Sequence, residues 1–255
     1  MNLEEYERIQ PHAESDGIIF FTPNQHCAWR VSSLHTKEPD TIAWIESMQP
    51  DELLFDVGAN MGQYSLYAWK HGLRVHAFEP ESQNFALLQR NLVVNKANDR
   101  VTAWPLALAE APSIAIMHLS TVMPGGSCHA YKDPIGYNGK EKSWPATQGS
   151  VATTLDAFAA QFGNPDHIKI DVDGFEHLVL AGATSVLDVV KSVLVELNTA
   201  LTEHSAPLFQ LMADKGFTYD PAQQQSSMRK EGPFTGVGNV VFFRNEKDFL
   251  CNRGK

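Results

Sequence analysis

LLFDVGANMGQYSLYAWK, residues 53–70, is the stretch from which the rest of the chain can be read. Leu53, Leu54, Phe55 and Val57 make a short apolar run, the pattern of a strand buried on both faces. The run closes with Asp56 and Val57 and passes into Gly58, Ala59, Asn60, Met61 and Gly62, a tight turn that opens a helix carrying Tyr64, Leu66 and Trp69. Glycines in such a turn let a ligand lie against the main chain. The turn reads as a cradle for a nucleotide-type cofactor.

Details of the cradle select the cofactor. A dinucleotide fingerprint would read GxGxxG after the strand, whereas here Asn60 stands at the second glycine position and the spacing is GxxxG. Asp56 adds a carboxylate that would repel a pyrophosphate and suits an ammonium. S-adenosylmethionine (SAM) carries one. The next apolar run, Leu73 to Phe78, stops at Glu79, about 20 residues on, where an acidic side chain can accept hydrogen bonds from both ribose hydroxyls. That last feature suits NAD as well as SAM.

Five stretches follow in order: DVGANMGQYS; HAFEP with NFALLQRNL; TLDAF; IKIDVDGFEHLVLAGA; VLVELN. In this order they resemble the FkbM family of SAM-dependent methyltransferases over roughly residues 38–200, with Asp173 departing from the Glu common in the family. The resemblance implies a class I methyltransferase-like (Rossmann-like) α/β fold: a mostly parallel seven-stranded sheet with an antiparallel edge hairpin and an N-terminal extension. The cofactor-contacting set is then Asp56, Gly58, Asn60, Gly62, Tyr64, Ser65, Glu79, Asn84, Ala107, Leu108 and Asp171. Residues 1–50 form the expected extension, a hairpin and helix packed on the core, and 51–255 the SAM-binding domain with a lid-like insertion at 120–150.

Composition narrows the partners. Thirty acidic against 20 basic residues give a net charge of −10, which argues against a sequence-independent grip on nucleic acid. Three isolated cysteines, Cys27, Cys128 and Cys251, suggest neither a disulfide framework nor a zinc site. The N-terminus lacks the basic start and apolar core of a signal peptide, and no run approaches a membrane span. A cytoplasmic protein acting on a small molecule, without nucleic acid or membrane, is the expectation.

Along the chain, residues 18–31 read as two extended pieces around Thr22 to Gln25, with Phe20, Phe21 and Trp29 able to wall a pocket. Pro39 opens a helix. Val101 to Leu108 reads as a third strand and Ser113 to Leu119 as an added one. Residues 120–150, rich in Gly and Pro, are read as a loop over the acceptor that offers His129, Tyr131, Tyr137 or Trp144. Thr153 or Thr154 caps a helix to Phe162, and His167 to Val172 is the next strand. Phe217 to Tyr219 and Val237 to Arg244 form the edge hairpin, with Arg229 and Lys230 a solvated pair in the loop between them.

A hydroxyl acceptor must lose a proton, so a carboxylate or imidazole within reach is useful. The candidates are Lys169, Asp171, Asp173, Glu176 and His177, with Asp171 foremost; a capping role for Asp173 is the plain alternative. Lys169 and Glu196, ionisable residues inside apolar strands, are expected to pair if neighbouring strands bring them together. Asp171, Asp173 and Glu196 suit a hard cation, but Gly182 stands where a calcium loop needs Glu and no HExxH occurs, so no metal is expected. Beside O-methyl transfer to a small-molecule or sugar-containing metabolite stand N-methylation, an NAD-dependent oxidoreductase and a non-catalytic SAM-fold module.

Overall fold

The structure, a computed structural model, describes residues 11–244. Its strands are β1 (His12–Ser15), β2 (Ile18–Phe21), β3 (Leu53–Val57), β4 (Arg74–Phe78), β5 (Val101–Trp104), β6 (Ala107–Leu108), β7 (Ser113–Leu119), β8 (Ala130–Tyr131), β9 (Ala146–Thr153), β10 (His167–Ile170), β11 (Ser192–Asn198), β12 (Thr218–Tyr219) and β13 (Val237–Phe243). Seven of them form one sheet in the order β12-β13-β11-β10-β3-β4-β5. From β11 to β5 all neighbours run parallel, and only β13 runs antiparallel to its neighbours β11 and β12. The expected sheet and its antiparallel edge hairpin are both present.

Alternation along β3 splits the core into two layers. Leu54 joins a cluster with Ile18, Phe20, Trp44, Ile45, Leu66 and Leu88, which seats the N-terminal segment and the helices Gln63–Lys70 and Ser82–Val94 on one face. Leu53, Phe55 and Val57 turn to the other face, against Phe78, Phe158, Ile168 and Leu180. With both faces covered, the strand has to be apolar throughout except where a polar group finds a partner. The exception is Asp56, which lies opposite Lys169 in the β3–β10 register.

Several local expectations are corrected. Of the pieces read around Thr22, only the first is extended: β2 pairs backwards with β1, while Gln25–Ser32 is a helix. Asn24 explains the difference, because its side chain accepts the Cys27 N–H at 2.8 Å and so acts as a helix cap rather than a hairpin turn. Pro105 ends β5, and Ala107–Leu108 leaves the main sheet for a second, four-stranded one in the order β6-β9-β7-β8. Residues 146–150 lie in β9, so the loop-like part of the insertion is shorter than composition suggested. The segment between β12 and β13 holds the helix Pro221–Ser227, capped by Asp220.

The sheet changes winding direction between β3 and β10, since the chain proceeds to β4 and β5 on one side and later to β10 and β11 on the other. In open α/β sheets such a point is where ligands bind, beyond the carboxyl ends of the strands. Among the described residues no helix is long and apolar enough to cross a membrane.

Candidate active site

A cavity of about 370 Å³ opens at that switch point, within the range of small-molecule sites, roughly 300–1,000 Å³. Gly58, Asn60, Phe78, Glu79, Asn84, Leu106, Ala107 and Leu108 line one end. Trp29, Arg30, Lys37, Asp171, Glu196, Arg229 and Phe234 line other parts of the wall, and Gly126, Ser127, His129 and Tyr131 come from the insertion.

Gly58 makes the cradle possible. At φ +83° it passes so close to β10 that a Cβ would stand 1.9 Å from the carbonyl oxygen of Asp171. No side chain fits there. Asn60 takes a left-handed conformation at φ 50°, which Asn tolerates better than most residues. Its backbone N–H donates to Glu79 Oε2 at 2.7 Å, so turn and strand end are tied together. The other oxygen of Glu79 accepts the Glu81 N–H at 2.9 Å. Burial nonetheless pushes the Glu79 carboxyl up to about 8.

Asp56 does not open onto the cavity. It is buried, its Oδ2 accepting from Ser65 Oγ at 2.6 Å and its Oδ1 lying 3.8 Å from the ammonium of Lys169. The same ammonium reaches Asp171 Oδ2 at 3.2 Å. Burial opposes ionisation of Asp171, but the charges of Lys169, Lys37 and Arg30 and the hydrogen bond from Lys169 together outweigh it and bring the carboxyl down to about 2. Lys169 thus sits behind Asp171, and the expected pairing with Glu196 is replaced. Lys169 lies level with Leu194 on β11, two residues short of Glu196. Glu196 pairs instead with Arg229 at 2.9 Å, so the residue read as a solvated cation belongs to the cavity wall.

Asp173 lines the cavity at φ 57°, with Oδ2 accepting the Cys128 N–H at 2.6 Å. Burial, followed by the charge of Asp171, raises its carboxyl to about 6. Glu176 lies behind this turn, where Oε1 accepts the N–H groups of Val172 and Gly174, and burial lifts it to about 7. His177 stacks on His204, away from the cavity. Gly62, Tyr64 and Ser65 also lie outside the lining; the Tyr64 hydroxyl donates to Glu38 Oε2 at 2.9 Å.

Of the aromatic and imidazole groups expected from the insertion, His129 and Tyr131 reach the cavity. Tyr137 and Trp144 do not: Tyr137 packs on Phe234, and the Trp144 indole N–H donates to the Pro134 carbonyl. Oxygens of Glu38, Asp171 and Glu196 lie within 4.8 Å of one another, close enough to share a cation. Lys37 and Arg229 already bring positive charge to Glu38, at 2.5 and 3.7 Å. Sequence reasoning missed Arg30, Lys37 and Glu38, because Arg30 fell in a piece read as extended, Glu38 read as the start of a helix, and no local pattern marks any of the three until the fold brings them to the sheet edge.

Comparison with known proteins bears on the family and the fold. The profile of the family described as Methyltransferase FkbM domain matches residues 56–219. The hexuronic acid methyltransferase AglP of Haloferax volcanii is 27% identical over 178 residues, covering 68% of this chain and 67% of that protein. The 31-O-demethyl-FK506 methyltransferase FkbM of Streptomyces tacrolimicus is 45% identical over 56 residues, 21% of this chain and 22% of that protein. The magnesium protoporphyrin IX methyltransferase ChlM of Synechocystis, solved with bound SAM, superposes with a TM-score of 0.51 at 13% identity, over 95% of this chain and 90% of that one. That likeness speaks for the fold. With the family profile matched from Asp56 to Tyr219, the chain belongs to the FkbM methyltransferase family and is a SAM-dependent methyltransferase.

Proposed function

We propose that the chain transfers the methyl group of SAM to a hydroxyl of a small-molecule or sugar-containing metabolite in the cytoplasm. The observation that carries this reading is Asp171, an ionised carboxylate held by Lys169 on the wall of the cavity. The confined volume and the net charge of −10 favour a small acceptor over nucleic acid. Trp29, 48% exposed beside the cavity, offers a flat apolar face to a sugar ring, and a relative is named for a hexuronic acid acceptor.

The residues present fit SAM. Glu79 would take the ribose hydroxyls, the main chain at Gly58 would lie against the amino acid end, and Phe78, Leu106, Ala107 and Leu108 would flank the adenine. SAM supplies an activated methyl group, whose bond to sulfur breaks as the acceptor oxygen takes the methyl. The protein's share is to hold the acceptor in line, which accounts for much of the acceleration in such reactions. Asp171 accepts a hydrogen bond from the acceptor hydroxyl and orients its lone pair. A hydroxyl becomes strongly acidic as its oxygen is alkylated, so even a carboxylate near 2 takes the proton late in the reaction. Asp173 adds a second carboxylate to the same wall, and residues 120–145 serve as the cover that excludes water.

Asp171→Ala tests the assignment: SAM binding is retained while transfer falls by about 10²–10⁴-fold. Undiminished transfer removes Asp171 from the mechanism. A methylated product that mild base hydrolyses would be an ester, and would contradict a hydroxyl acceptor.

A further inference from the structure

Three cations near Asp171 are each matched by a carboxylate: Lys37 by Glu38, Lys169 by Asp171 and Asp56, and Arg229 by Glu196 and Glu38. Arg30 is different. It lines the same cavity, and its Nε donates to the Gly125 carbonyl at 2.8 Å, but its two terminal nitrogens have no carboxylate partner among the described residues. Asp171 and Asp173 feel its charge without pairing with it.

A second unmatched donor stands close by. His129 is 8% exposed, and its Nδ1 accepts the Ser120 backbone N–H at 3.1 Å. That bond requires a lone pair on Nδ1, so in the neutral ring the proton resides on Nε2. Burial lowers the basicity of the ring and keeps it neutral. The Nε2–H is buried and has no partner among the described residues. A buried donor left unmatched costs free energy comparable to a lost hydrogen bond, which a ligand oxygen would restore.

Arg30 and His129 flank one fixed dipeptide. A Cβ on Gly125 would meet Arg30 Cδ at 3.8 Å, and one on Gly126 would meet His129 Nε2 at 3.6 Å. The dipeptide is pinned to the cofactor end of the cavity: Asn60 Nδ2 and Asn84 Nδ2 donate to the Gly126 carbonyl at 2.7 and 3.0 Å, and the Gly125 N–H donates to Asn84 Oδ1 at 2.8 Å. Neither glycine can take a side chain, since a Cβ would stand 2.8 Å from Cys27 Sγ or 2.5 Å from Thr121 Cγ2. Arg30 is thus tied to Gly125 through its Nε bond, and the imidazole of His129 lies beside Gly126.

We propose that Arg30 and His129 form a carboxylate-binding subsite of the transfer cavity. A planar guanidinium with both terminal nitrogens free suits a carboxylate, and the imidazole N–H adds a neutral donor from the insertion. The carboxylate has two possible sources, the amino acid end of the methyl donor or an acidic acceptor. The proposal rests on the reading of this cavity as the transfer site.

Calorimetry separates the sources. In one arm S-adenosylhomocysteine and its decarboxylated counterpart are titrated into the wild type, Arg30→Gln and His129→Phe. In the other, D-glucuronate and D-glucose are titrated into the same proteins saturated with S-adenosylhomocysteine. The expected result is a wild-type preference for the carboxylate of roughly ten-fold or more in one arm, which identifies the source. Arg30→Gln reduces that preference to about three-fold or less while binding of the uncharged ligand is kept, and His129→Phe lowers it in part. A wild type without preference in either arm, or a preference that survives Arg30→Gln, overturns the subsite. Failure of S-adenosylhomocysteine to bind the wild type at all contradicts the transfer-site reading itself.

Discussion

Gly58 and Asp171 meet where β3 and β10 part: the Asp171 carbonyl oxygen occupies the place that a Cβ of residue 58 would need, 1.9 Å away. One crossing thus fixes the floor of the cofactor cradle and the base of the side chain proposed to hold the acceptor. Gly58→Ala has to push the two strand ends apart and hold an unfavourable positive φ. We expect a loss of about 2–4 kcal/mol in stability and at least a ten-fold weaker affinity for S-adenosylhomocysteine, read by urea unfolding and calorimetry. Unchanged stability and affinity would show that the crossing is not rigid.

Lys169 is 1% exposed and lies between Asp56 and Asp171. Lys169→Met leaves two carboxylates without their cation, which for buried pairs costs about 3–5 kcal/mol. Adding Asp56→Asn removes one of the stranded charges and should recover part of the loss. A double variant no more stable than the single one would count against the pairing.

Two carboxyls shift in opposite directions, and their effects on stability have opposite signs. Asp171, near 2 in the folded protein, lies below the unfolded value of about 3.9, so its stabilisation is present above that value and is lost as pH falls toward 2. Glu79, near 8, lies above the unfolded value of about 4.3. Folding therefore holds a proton that the unfolded chain has released, and stability from this group declines as pH rises from about 4.3 to about 8. Urea midpoints of the unliganded protein should fall between pH 5.5 and 8, and Glu79→Gln should flatten that slope. An identical slope in the variant would exclude Glu79 as its source.

Arg229 bridges Glu196 and Glu38 on the cavity wall. Arg229→Gln should raise KM for the acceptor by about ten-fold, with little change in S-adenosylhomocysteine affinity, because truncating one partner of a charged pair leaves the others uncompensated. Steady-state kinetics and calorimetry on the same preparation check both halves. A loss confined to cofactor binding would move Arg229 to the other end of the cavity.

What the sequence revealed follows from distance along the chain. The strand, Gly58, Asn60 and Glu79 were legible because they lie within one βαβ unit, and the Asn60–Glu79 bond spans only 19 positions. Asn24 was read as a turn residue because an Asn before a polar stretch serves a turn or a helix cap equally well. Arg30, Asn60 and Asn84 converge on Gly125 and Gly126 from 95, 66 and 41 positions away, and no local pattern marks such a meeting. The partners of Lys169 and Glu196 depended on register, where two positions decide which charges face each other.

The account depends most on the cavity at the β3–β10 switch point holding the methyl donor through Glu79. Titration of S-adenosylhomocysteine into the wild type and Glu79→Ala, with NAD as control, tests this directly. We predict one molecule bound per chain, at least a ten-fold loss of affinity in Glu79→Ala and no heat from NAD. Equal affinity in the two proteins, or binding of NAD alone, would contradict it.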